Sequence, residues 1–224
     1  MASVKLKHTS GNGTILHSPA ANPSSDVTLK LPSTTGSAGQ VLKVASANHS
    51  STNAELEFGA DASGKILQVV QVVKTDTFTH TGQTFVDLPS FNPSITPTST
   101  GSKIMLDISL SGNASGQGAI DLYRSIGGGT YAQLTDFIGD AASNAYRTTM
   151  SFGGQESTAR ENIGLKILDT PTYSSGQAIA YKLKVGSPYI SSYKIHINQV
   201  DYIYNSANYD KTTISTFTLS EVAA

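Results

Sequence analysis

The side chains with the best claim to chemistry are five histidines, a scatter of acids in the C-terminal part and a late group of tyrosines. His8, His17, His49, His80 and His196 never form a His-x-His pair, the spacing that lets neighbouring strands chelate a metal on a shared axis. His196 stands between Ile195 and Ile197, so on a strand it faces away from them, toward solvent or a loop. Asp121, Asp136, Asp140, Glu156, Glu161 and Asp169 could pair across a groove as a polysaccharide-cleaving couple. Folds without catalysis carry unpaired acids just as often. Serine is plentiful, but no Gly-x-Ser-x-Gly elbow exposes one as a nucleophile, and no Lys-Ser/Thr follows Gly127–Gly129 to make a phosphate loop. Cysteine is absent, which removes thiolate chemistry, disulfides and cysteine-based zinc together. These residues predict a chain that is not an enzyme, with no catalytic residue, no metal and no cofactor.

Seven of the ten tyrosines lie between 173 and 209. Tyr181 and Tyr193 fall in register with aliphatic neighbours and read as core, whereas Tyr202 and Tyr204 read as cover for a sheet or subunit face. Tyr189, near Gly186 and Pro188, and Tyr209, in NSANYDK, sit in loop-like sequence. Their rings join an apolar body to a polar tip, which suits wet interfaces and stacking on sugars. They are the candidates for surface recognition.

Strands must position these groups. The sequence holds 30 Ser and 25 Thr with 20 Gly, while only 14% of residues are charged. Thr favours pleated strands, and Ser and Gly favour turns. The net charge of -1, with no run of Lys or Arg, excludes nucleic acid as an expected partner. No stretch approaches the 18 or so apolar residues of a membrane span, and MASVKLKHTSGNG lacks the apolar core of a secretion signal. No membrane insertion is expected.

Residues 1–60 are thin in large apolar side chains, with strand candidates at Thr14–His17, Val27–Leu31, Gln40–Val44 and Glu55–Phe58 between turn clusters. KILQVVQVV, residues 65–73, is near-continuously apolar and predicts a strand buried on both sides. Lys103–Leu110 alternates, placing Ile104, Leu106, Ile108 and Leu110 on one face. Ala119–Arg124 and Tyr131–Leu134 flank SIGGG as a hairpin, and Ile163–Ile167 and Ile179–Val185 alternate again. Tyr193, Ile195 and Ile197 share a face, after which the apolar parity switches to Val200, Tyr202 and Tyr204, which predicts a bulge or bend near Gln199. A last strand spans about Thr213 to Leu219. The expected fold is all-β: a small N-terminal β module, 1–62, followed by an antiparallel jelly-roll-like β-sandwich, 63–224.

The segment TILHSPAANPSSDVTLKLPSTTGSAGQVLKV, residues 14–44, with LEFG at 56–59, resembles a module of tail-fibre-like and other virion structural proteins of bacteriophages, especially those of marine cyanobacteria. Its skeleton is a TLxLP strand, then GxxGQVL, then a closing aromatic strand. Here these are Thr28, Leu29, Leu31 and Pro32, then Gly36, Gly39, Gln40, Val41 and Leu42, with Phe58 closing. The remainder, with ILQVVQ, ITPTSTGSKIML, LYRS, LDTP, YKLKV and TLSEVAA, is similar to the fibre-head domains that accompany the module.

The resemblance implies a non-enzymatic homotrimer on the exposed surface of a virion, assembled in the host cytoplasm. Leu29, Leu31, Pro32, Gly36, Gly39, Gln40, Val41, Leu42 and Phe58 would then serve particle attachment and trimer contacts. Partners would be other virion proteins of tail or capsid and a host cell-surface glycan or protein. A single copy of the GxxGQVL module and no shaft repeat point to a short fibre or knob. Two other functions fit the residues: a carbohydrate-binding, lectin-like module, and a compact polysaccharide depolymerase.

Overall fold

The structure, a computed structural model, describes residues 3–7, 13–17, 28–38, 40–50, 53–60, 66–153, 159–201 and 211–223. Packing divides the chain into two compact units, Met1–Ser63 and Gly64–Ala224.

In the first unit, β1 (Ser3–Lys7) and β2 (Gly13–His17) pair antiparallel. β3 (Thr28–Lys30), β4 (Gln40–His49) and β5 (Asn53–Ala60) form a second sheet with β5 in the middle, parallel to β3 and antiparallel to β4. Three strands bury little by themselves. Ala45 is the one buried apolar side chain among the described residues of this unit, while Leu29, Leu31, Val41, Leu42 and Val44 are exposed.

The second unit is a two-sheet sandwich. Its strands are β6 (Ile66–Lys74), β7 (Phe78–Thr81), β8 (Val86–Asp87), β9 (Ser94–Ile95), β10 (Lys103–Ala114), β11 (Gly118–Ile126), β12 (Ala132–Gln133), β13 (Met150–Phe152), β14 (Glu161–Asp169), β15 (Ile179–Gly186), β16 (Lys194–Ile197) and β17 (Ser215–Val222). A single 3-10 turn, Thr135–Phe137, is the only helical element among the described residues.

Several short strands run end to end along one neighbour. β17 pairs with Lys103–Ser109 of β10 and β16 with Gly112–Ala114, both on the side opposite β14. β6 pairs with β17 and β7 with β16. In the other sheet β12 and β13 share β11, and β8 and β9 share β15. The twelve segments therefore make eight columns. Numbered in chain order, one sheet reads 1-8-3-6 and the other 2-7-4-5, the interleaved order of a jelly roll.

Alternation builds the core. Ile104, Leu106, Ile108 and Leu110 of β10 are fully buried against Leu122 of β11 and Tyr181, Leu183 and Val185 of β15, with Phe217 and Leu219 of β17 beside them. The glycines after β11 turn its hairpin, with Gly127 at φ 60° and Gly128 at φ 76°. A polar clamp ties the sheets: Arg124 of β11 bonds both oxygens of Asp169 on β14 at 2.6 Å, and the Tyr181 hydroxyl donates to Asp169 at 2.6 Å. Burial and the adjacent carboxylate keep that phenol protonated far above its ordinary range.

One expectation is corrected, and two others are made specific. β6 is not buried on both faces: it forms the sheet edge, and Leu67, Val69 and Val73 project from a face that no second layer of this unit covers. The parity switch after Ile197 coincides with a bend at Asn198 and Gln199, where Asn198 has φ 61°, and β17 begins at Ser215. His196 faces away from Ile195 and Ile197, as expected, and of the two neighbours expected for it the structure supplies the loop: Asp201, just past the strand, lies over the buried ring.

Candidate recognition cleft

Three adjoining hollows of about 330, 380 and 600 Å³ open at one corner of the sandwich, and Gln117 borders all of them. Three loops build their walls: the 115–117 turn between β10 and β11, the 139–149 segment before β13, and the 186–193 connection from β15 to β16. Each is pinned from behind. The Ser187 N–H donates to the Gly82 carbonyl, the Gly82 N–H to the Tyr193 carbonyl, and Gln83 Nε2 to the Tyr189 carbonyl. Across the 139–149 segment, the Gly139 N–H donates to the Thr148 carbonyl and Arg147 Nε donates back to the Gly139 carbonyl at 2.7 Å.

Three tyrosines, Tyr146, Tyr189 and Tyr193, stand in the walls. Tyr189 is 68% exposed, and its ring lies 6.4 Å from that of Tyr193 with the planes tilted by 41°. The Tyr193 ring covers Gly116, where any Cβ would collide with it. Tyr193 is thus half-buried in the cleft wall and not in the core as its register predicts; the strand begins one residue later, at Lys194. Tyr146 is half-exposed and stacks on Phe85 at 5.4 Å.

Behind Tyr146 sits Asp121, which points outward from β11 yet is buried. It accepts from the Tyr146 hydroxyl at 3.3 Å and from Thr148 Oγ1 at 2.9 Å. Burial pushes the Asp121 carboxyl above its ordinary value although both donors oppose the shift. Burial, with the Asp121 charge second, pushes the Tyr146 phenol up to about 12. The cleft therefore presents a neutral hydroxyl there at physiological pH.

The other candidate residues separate into groups. In the first unit Gly36 lies beneath the ring of Phe58, which faces Leu42 across the β4–β5 ladder. Gln40 closes a turn, its Oε1 accepting from the Ser37 N–H at 2.8 Å. Pro32 is half-buried, and Leu31, the most exposed of the set, stands 75% open beside exposed Leu29, Val41 and Leu42. Gly39, Tyr202, Tyr204, Tyr209, His8 and Glu156 lie outside the described residues.

Among the described residues the acids do not converge as a couple. Asp169 belongs to the inter-sheet clamp, Asp121 is committed behind Tyr146, and Asp136 and Asp140 are exposed. His196 bonds Thr79 and approaches Asp201 at 3.0 Å; burial holds its pKa below the ordinary value against the pull of Asp201. Among the described residues no three His, Asp or Glu side chains gather as a metal site.

Sequence reasoning singled out Tyr189 as a surface-contact candidate, which the structure puts at this cleft, but passed over Gln117, Tyr146 and Arg147. The signal for two of them was present: AASNAYR sets an aromatic and a cation inside a turn-rich stretch, the criterion that singled out Tyr189. No family model matches the chain, and no curated protein matches it.

Proposed function

We propose that the protein is a non-enzymatic structural component of a bacteriophage virion, a short homotrimeric fibre or knob whose residues 64–224 form the head. The observation that carries this reading is the pairing of a self-sufficient jelly-roll unit with a small unit that leaves its own apolar side chains uncovered. Leu29, Leu31, Val41, Leu42 and Val44 are exposed on a three-stranded sheet, and further copies or a virion partner would bury them. The GxxGQVL skeleton on the same sheet supports the assignment. The head's tyrosine-walled cleft suits contact with a host-surface glycan, and its described lining residues include no acid that could act in glycoside cleavage.

Antibodies against residues 64–224 test the virion role. They should decorate intact particles produced from the genome that encodes the protein, as seen by electron microscopy. Antigen found only in the soluble part of the lysate would overturn it.

A stand-alone lectin-like module is the second reading, favoured by the exposed Tyr189 and Tyr146 rings. It predicts a monomer that binds saccharide without residues 1–63.

A further inference from the structure

We infer that the cleft recognises an acidic saccharide, one carrying a carboxylate, sulfate or phosphate, with Arg147 as the residue that reads its charge. This rests on the head being a glycan-contacting surface and goes further by naming the ligand's charge.

Among all described residues lining the three hollows, Arg147 alone is charged. Its side chain is aimed, because Nε is tied to the Gly139 carbonyl at 2.7 Å. The two Nη groups have no hydrogen-bond or ion-pair partner among the described residues. A guanidinium held at Nε with both Nη groups open presents a planar fork that matches two oxygens of a carboxylate or sulfate.

The surroundings supply the rest of a sugar site. Tyr146 and Tyr189 offer ring faces for stacking, and Gln117, Gln133 and Asn144 border the same 600 Å³ hollow with amide donors and acceptors for ring hydroxyls. Two acids stand close in the fold without lining the hollows: Asp140, exposed and accepting from the Ala141 N–H at 2.7 Å, and Asp121 behind the wall. The second is the buried one. It is screened from the opening by the Tyr146 hydroxyl and lies opposite Lys184 on the β11–β15 ladder. No acid among the described lining residues competes for the fork.

The test is saccharide binding by the full chain, using oligogalacturonate and a sulfated oligosaccharide beside their reduced or desulfated counterparts. The acidic forms should bind about tenfold more tightly at low salt, with the advantage shrinking as salt rises. R147Q should abolish the preference, and R147K should retain part of it, since it keeps the charge without the fork. Equal affinity for charged and uncharged forms, or a preference that survives R147Q, would overturn the inference while leaving the cleft a glycan site. Binding to none of the four saccharides would overturn both the charge preference and the glycan-contacting head. The particle-labelling experiment tests the virion role separately. Unchanged circular dichroism and thermal unfolding of R147Q separate loss of recognition from loss of fold.

Discussion

At the scale of single residues, exposure and burial predict opposite kinds of consequence. Tyr189 contributes little to packing because most of its surface is open. Tyr189→Ala should weaken saccharide binding about tenfold and change stability by less than about 0.5 kcal/mol, read by calorimetric titration and urea unfolding. Glu221 is the reverse case. It is fully buried on β17 and accepts from the Thr98 N–H at 2.9 Å, from the Ser99 N–H at 3.2 Å and from Gln68 Nε2 at 2.8 Å. Burial alone would raise its pKa, but these donors together outweigh burial and leave the carboxyl below the ordinary glutamate value. A carboxylate with a depressed folded pKa adds stability above its unfolded pKa and loses it as pH falls through the folded one. Glu221→Gln should therefore cost about 2 kcal/mol at pH 7, with the gap to the parent chain closing below about pH 4. Equal unfolding midpoints at pH 7 would show that the 96–102 loop does not depend on this carboxylate.

At the scale of elements, the long β10 strand sets the sandwich, and two glycines on its ladders have different roles. A Cβ at Gly112 would stand 2.0 Å from the His196 carbonyl, which is backbone of β16 and has no rotamer to change. A Cβ at Gly164 would meet only the Ile108 carbonyl, at an ordinary 3.5 Å. Gly112→Ala should destabilise the head by about 2 kcal/mol or more, whereas Gly164→Ala should be neutral or slightly stabilising in the same urea assay. The strands that alternate cleanly, Lys103–Leu110 and Ile179–Val185, were legible in the sequence because period-two burial dictates them. The one-sided burial of β6 was not legible, because a continuous apolar run looks alike at a sheet edge and at a centre. The bend after Ile197 was legible in the switch of apolar parity, but what holds it was not. It depends on Asn198, whose Nδ2 donates to the Lys74 and Asp76 carbonyls and whose Oδ1 accepts from Ser215, contacts with partners up to 124 residues away. Of the cleft, the exposed tyrosine was readable from its loop sequence. The convergence of the 115–117, 139–149 and 186–193 segments was not, since only tertiary pairing brings them together.

At the scale of the whole molecule, the account assigns assembly to one unit and recognition to the other. Residues 64–224 hold a contiguous core of their own, so a chain lacking 1–63 should still unfold cooperatively in urea; a broad, non-cooperative transition would show that the units fold only together. In the proposed assembly the exposed leucines and valines of the first sheet would hold copies or partners. The solution mass of the purified full-length chain, followed by light scattering across a dilution series, tests that claim most directly. The account predicts a mass near three times 23.4 kDa that resists dilution. A clean monomer at every concentration would contradict it.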